Sequence, residues 1–111
     1  MDITTTSYKH CDVIKVTGRI DSLTSPKLGE TLATLAEKGR YRIVIDLNET
    51  EFISSAGLWV LVNAQKTCKR YNRGAVVLAC VPAKIHATLD LAGFIPLFTL
   101  FGDVTAAVGS F

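Results

Sequence analysis

Asp46-Leu-Asn-Glu-Thr-Glu-Phe-Ile-Ser-Ser-Ala-Gly-Leu-Trp59 is the stretch on which the reading of this chain turns. Before its polar part, Arg42-Ile-Val-Ile-Asp-Leu47 carries the β-branched run of a strand buried on both faces. After it, Leu58 to Tyr71 keeps helical periodicity. The residues between read as a polar loop, with Ser54-Ser55-Ala56-Gly57 as its pivot. A serine at such a strand-loop-helix junction sits among backbone N–H groups that lack intrahelical partners, at the positive end of the helix dipole. The junction therefore suits an anion, or a phosphate carried covalently.

Working outward, the 111 residues are enough for one compact domain with a sizeable core and too few for two, with 49% of them apolar and 20% charged. The N-terminus, Met1-Asp-Ile-Thr-Thr-Thr, has neither the basic region nor the apolar core of a signal peptide. No apolar run approaches the roughly 18 to 20 residues of a membrane span, so a cytoplasmic, soluble protein without membrane insertion is expected. Cys11, Cys68 and Cys80 lack CxxC spacing and lie among apolar neighbours, which predicts buried, reduced thiols. A formal charge of +2, with only a weak basic face on one helix, is too small to argue for nucleic acid.

In chain order, the loose alternation from Ile3 to Val16 around Lys9-His10-Cys11-Asp12 predicts an antiparallel hairpin. Gly18-Arg19-Ile20-Asp21-Ser22 breaks that pattern. Thr24-Ser25-Pro26 then reads as a helix start with a hydroxyl cap, Leu28, Leu32, Leu35 and Ala36 as its buried face, and Gly39 as its end. In the helix after the pivot, Gly57, Leu61, Ala64, Cys68 and Tyr71 fall on the side that faces the sheet, and Trp59, Asn63, Lys66 and Arg70 on the other. A tryptophan on the polar side is either covered by a neighbouring element or anchors a partner. Gly74 precedes the apolar strand Ala75-Val-Val-Leu-Ala-Cys-Val81, expected parallel to the earlier one. Pro82 opens a helix with Ile85, Leu89 and Ala92 inward, Gly93 closes it, Leu97 to Phe101 reads as a last short strand, and Asp103 caps a terminal helix with Val104, Ala107, Val108 and Phe111 on one face. The order β-β-α-β-α-β-α-β-α gives an α/β fold: a mixed sheet, N-terminal hairpin plus parallel strands, packed against about four helices.

Catalytic signatures are scarce. Ser55 lacks the glycines of a nucleophile elbow, His10 and His86 are remote in sequence from it, and no P-loop, GxGxxG or HExxH occurs. Asp21, Asp46, Glu49 and Glu51 could gather near the pivot around Mg²⁺, yet acidic residues at strand ends and in loops are more often only solvated. The expectation is a binding or switch module rather than an enzyme, with no metal and no cofactor.

Several motifs together resemble the STAS domain (sulphate transporter and anti-sigma factor antagonist), and most of all the stand-alone bacterial anti-sigma factor antagonists. Val16-Thr-Gly-Arg-Ile-Asp21 is similar to the family's Thr-Gly-Glu-Leu/Ile-Asp element. Ile45-Asp-Leu47 followed by Phe52-Ile-Ser-Ser-Ala-Gly-Leu58 is similar to its Asp-Leu, then Phe-x-Asp-Ser-Ser-Gly-Leu. Pro82-Ala83 and Leu91-Ala-Gly-Phe94 resemble the elements around its third helix, so the likeness runs through nearly the whole chain in order.

The resemblance implies a single STAS domain over residues 1–111 that binds a GHKL-type anti-sigma factor and serine kinase and so releases a sigma factor. Phosphorylation by that kinase switches it off, and a phosphatase restores it. The acceptor, carried over by position, is Ser55, with Ser54 either a second acceptor or only the helix cap. The implied partner surface is Asp21, Ser22, Thr24, Ser54, Ser55, Gly57, Leu58 and Trp59. Ser54 stands where the family often has aspartate, and Arg19 where it usually has glutamate, which implies a different partner surface. The alternative is a STAS binding module, never phosphorylated, in a signalling or membrane-associated transport complex. The oligomeric state stays open.

Overall fold

The computed structural model describes residues 1–71 and 74–111. Its strands are β1 (Asp2–Ser7), β2 (Asp12–Ile20), β3 (Arg42–Asp46), β4 (Thr50–Ile53), β5 (Ala75–Ala79) and β6 (Leu100–Phe101). Its helices are α1 (Ser25–Glu37), α2 (Ser55–Arg70), α3 (Ala83–Leu91) and α4 (Val104–Gly109), with a 3₁₀ turn at Ile95–Leu97. The expected mixed sheet on four helices is thus present.

Strand order is β1-β2-β3-β5-β6, with β4 joined to β2 alone. The hairpin β1–β2 is antiparallel, and every other pairing is parallel. Period-two alternation sorts the strand residues between two layers. Ile14, Val16, Ile43, Ile45, Val76 and Leu78 meet Leu28 and Leu32 of α1, Leu61 of α2, and Ile85 and Leu89 of α3. Val13, Val44, Val77 and Ala79 meet Ala107 of α4 on the other face, with Val104, Val108 and Phe111 packed at its margin. This is why β3 and β5 read as unbroken apolar runs: they are covered on both sides.

Four local expectations are corrected. Gly18 to Ser22 was expected to break the strand pattern, but β2 continues through Ile20. Gly18, at φ +97, carries a register shift between itself and Arg19, a conformation that costs glycine little and re-aims the strand toward a new partner. That partner is β4, which lies inside the stretch expected to be loop: Arg19 pairs with Phe52 and Ile20 with Ile53. The Thr24 hydroxyl does not cap α1. Leu97 to Phe101 is a 3₁₀ end and a two-residue strand, because Pro96 holds helical φ in that turn.

Burial also departs from the expected faces. Ala92 ends α3 exposed rather than inward. Tyr71 is 45% exposed rather than turned to the sheet, and stacks on Tyr41 at 4.9 Å. Cys11 and Cys68 are buried as free thiols, but Cys80 is only partly buried, at φ +55. Burial pushes the Cys68 thiol up to about 11, which keeps it protonated and unreactive.

Candidate functional site

The end of β2 and the start of α2 build the junction from opposite sides. The Ser54 N–H donates to the Ile20 carbonyl at 2.8 Å, so the last residue before α2 is tied to the last residue of β2. Ile20 and Ile53 point inward and Gly57 lies against them. A Cβ on Gly57 would stand 2.7 Å from Ile20 Cγ2 and 2.8 Å from Ile53 Cγ1. Only hydrogen at this position lets the first turn of α2 come so close to the strand ends.

The two serines then divide. Ser54, in extended backbone conformation, is the N-cap: its Oγ accepts from the Gly57 N–H at 3.3 Å and its carbonyl from the Leu58 N–H at 2.9 Å. Ser55 is the first residue of α2 and is exposed. The first turn holds no acidic side chain, so nothing in it competes with an anion for the helix end.

Across from it, residues 21–24 form a closed turn. Asp21 Oδ1 accepts from the N–H groups of Leu23 and Thr24, both at 3.0 Å, and from the Thr24 hydroxyl at 3.1 Å. Thr24 Oγ1 in turn accepts from the Asp21 N–H at 2.8 Å, and its single proton is shared between Asp21 Oδ1 and the Arg19 carbonyl, 2.8 Å away. The Thr24 N–H above all, aided by the Leu23 N–H, the Thr24 hydroxyl and the Arg19 charge, holds the Asp21 carboxyl below its ordinary range. The carboxylate therefore stabilises the turn above its ordinary value of 3.8 and ceases to as pH falls through its lowered folded value. Ser22 and Leu23 are left at the tip, and Leu23 is 88% exposed.

Of the residues expected at a partner surface, Ser22, Ser55 and Trp59 are exposed, and Asp21, Thr24 and Ser54 half-buried. Gly57 and Leu58 are buried on the inward side of α2, so they shape this surface from beneath instead of lying on it. Trp59 is 51% exposed and meets the edge of Phe94 at 5.4 Å, so it is covered on one side and open on the other. The exposure of Leu23 and two contacts here escaped sequence reasoning. Leu23 stands in water at the tip of the turn, Phe94 shields Trp59, and Arg19 lies over the Phe52 ring at 4.3 Å, a cross-strand contact that needs β4 to be recognised. Among the described residues no three His, Cys, Asp or Glu side chains gather as a metal would require, and Asp21 is engaged with its own turn.

The model of the STAS domain matches residues 2–107. The chain belongs to the STAS domain family. A STAS relative named putative anti-sigma factor antagonist BtrV, from Bordetella bronchiseptica, is 30% identical over 94 residues, covering 85% of this chain and 80% of the relative. An anti-sigma factor antagonist from Mycobacterium paratuberculosis superposes with a TM-score of 0.87 at 22% identity, over 98% of this chain and 92% of that one. The Bacillus cell fate determinant SpoIIAA in its phosphorylated form superposes with a TM-score of 0.78 at 14% identity, over 98% of both chains. These likenesses establish a shared STAS fold, and the relatives carry the names of regulators rather than of enzymes. No helix among the described residues is long and apolar enough to cross a membrane.

Proposed function

We propose that residues 1–111 act as a single cytoplasmic domain, an anti-sigma factor antagonist controlled at Ser55. In the unmodified state it binds an anti-sigma factor that is also a GHKL-type serine kinase, releasing a sigma factor. Phosphate on Ser55 abolishes that binding until a phosphatase removes it. The names of the relatives support the general role. The observation that supports the switch is the division of labour between the serines: Ser54 is spent on the cap while Ser55 is exposed, its hydroxyl without a hydrogen bond among the described residues. Modifying Ser54 would cost the helix its cap, worth about 1 kcal/mol.

The physics of the switch is local. A phosphate brings about −1.5 to −2 charges to a helix start that favours negative charge, so the fold tolerates it. A partner surface shaped for a neutral hydroxyl does not, and each 1.4 kcal/mol of repulsion or desolvation is about a tenfold loss of affinity. The binding surface is the turn Asp21, Ser22, Leu23 and Thr24 with Ser55 and Trp59, resting on Gly57 and Leu58.

Incubation with ATP and the host's anti-sigma kinase, read by intact mass, tests the assignment. One phosphate on the wild type and on Ser54→Ala, and none on Ser55→Ala, is the expected result. Phosphate retained on Ser55→Ala, or none on the wild type, sinks it. Ser55→Asp should keep the wild-type melting temperature and lose the partner by at least tenfold.

A further inference from the structure

At the rim of the sheet remote from Ser55, the turn between β1 and β2 and the entry to β3 enclose an open, polar cavity of about 180 Å³. The nine residues of β2 separate the two rims by roughly 25 Å. Lys9, His10, Arg40, Tyr41 and Arg42 line this cavity, and no carboxylate does. The buried Asp12 beside it is already satisfied: Oδ2 accepts from Arg40 Nε at 2.6 Å and Oδ1 from the Ser7 hydroxyl at 2.7 Å. Arg40 is further held by the Cys11 carbonyl, which accepts from its Nη2 at 3.2 Å. One of the three cations is thus neutralised and fixed in place. Among the described residues no carboxylate lies within ion-pair distance of Lys9 or Arg42.

We propose that Lys9, His10, Arg40 and Arg42 form a binding site for a small oxyanion of the phosphate class. Two uncompensated positive charges around a concave space favour a ligand of about two negative charges. Arg42 supplies a planar fork suited to two oxygens and Lys9 a mobile point charge. His10 adds a ring N–H donor. A cavity of about 180 Å³ falls below the roughly 300–1,000 Å³ of sites for drug-sized ligands, so it suits a phosphate or diphosphate group better than a whole nucleotide. The anion would be recognised by charge and by donors already held in position, since the Asp12 pair fixes Arg40 before any ligand arrives. The site is independent of the Ser55 reading, because it uses no residue of that surface.

Titration with inorganic phosphate, pyrophosphate and glycerol 3-phosphate, followed by amide and His10 ring resonances in NMR, tests the proposal. Saturable shifts confined to residues 9–11 and 39–42 are expected for at least one of the three probes. Tighter binding of the ester points to a phosphorylated metabolite, and tighter binding of an inorganic probe to the free ion. Arg42→Gln should weaken that binding about tenfold at an unchanged melting temperature. Lys9→Gln, in an exposed turn, provides the same test with less risk to the fold. Shifts that fail to saturate, that spread over the basic surface, or that persist unchanged in both variants overturn it.

Discussion

The two rims of the sheet treat polar groups in opposite ways. At the Ser55 rim they are tied to backbone: Asp21 and Thr24 close a turn on themselves, and Ser54 caps α2. At the far rim two side chains are also tied to one another: Asp12 and Arg40 form an ion pair whose carboxylate is 1% exposed, across 28 residues of chain. Backbone-tied groups order a loop locally, and among the described residues the exposed Ser55 hydroxyl makes no hydrogen bond. A side-chain pair instead couples the hairpin to the α1–β3 connection, so it ties distant segments of chain together where the near rim orders a single loop.

The comparison can be broken by substitution. The largest effect is expected for Arg40→Met, which leaves Asp12 buried with only Ser7 as partner. A loss of about 2–3 kcal/mol should appear in urea unfolding, at the low end for a buried pair because Arg40 is partly exposed. A loss below 1 kcal/mol would show that the pair does not anchor the hairpin.

Next comes Gly57→Ala, which must displace Ile20 or Ile53 and should cost about 1–2 kcal/mol although alanine is the better helix former. Gly29→Ala in α1 is its control: a Cβ there meets Val60 at an ordinary 3.9 Å, and the same change should stabilise by about 0.5–1 kcal/mol in thermal melts. Equal effects at the two glycines would mean that close approach of α2 to the strand ends does not constrain the junction.

The smallest effects divide the serines. Ser54→Ala should lose about 1 kcal/mol of cap energy, and Ser55→Ala should stay within about 0.5 kcal/mol of wild type in the same unfolding assay. The reverse order would exchange their roles.

The architecture was legible in the sequence where one signal dominated. Ile43 to Ile45 and Val76 to Ala79 are apolar without interruption because α1, α2 and α3 cover one face and α4 the other, so the parallel centre of the sheet could be read directly. Asp103, with its carboxylate accepting from the Ala106 N–H at 2.7 Å, is the cap its position before an apolar helix announced. β4 gave no such signal. Thr50-Glu-Phe-Ile53 is short, starts on two polar residues and alternates too briefly to register, and its strand character comes from β2, which reaches it only past the shift at Gly18.

The site shows the same boundary. Sequence alone determined that a serine pair stands between an apolar strand and a helix, because hydrophobic periodicity changes there and helix ends leave N–H groups open. Which serine caps and which is free was decided by tertiary structure. The bond from the Ser54 N–H to the Ile20 carbonyl and the contact of Gly57 with Ile20 and Ile53 fix where α2 begins, and that single position turns one hydroxyl toward the helix and the other toward solvent. Tertiary structure likewise placed Leu58 inside, Leu23 outside and Phe94 against Trp59. None of these follows from local pattern, since each depends on a neighbour more than 30 residues away or on the conformation of a turn.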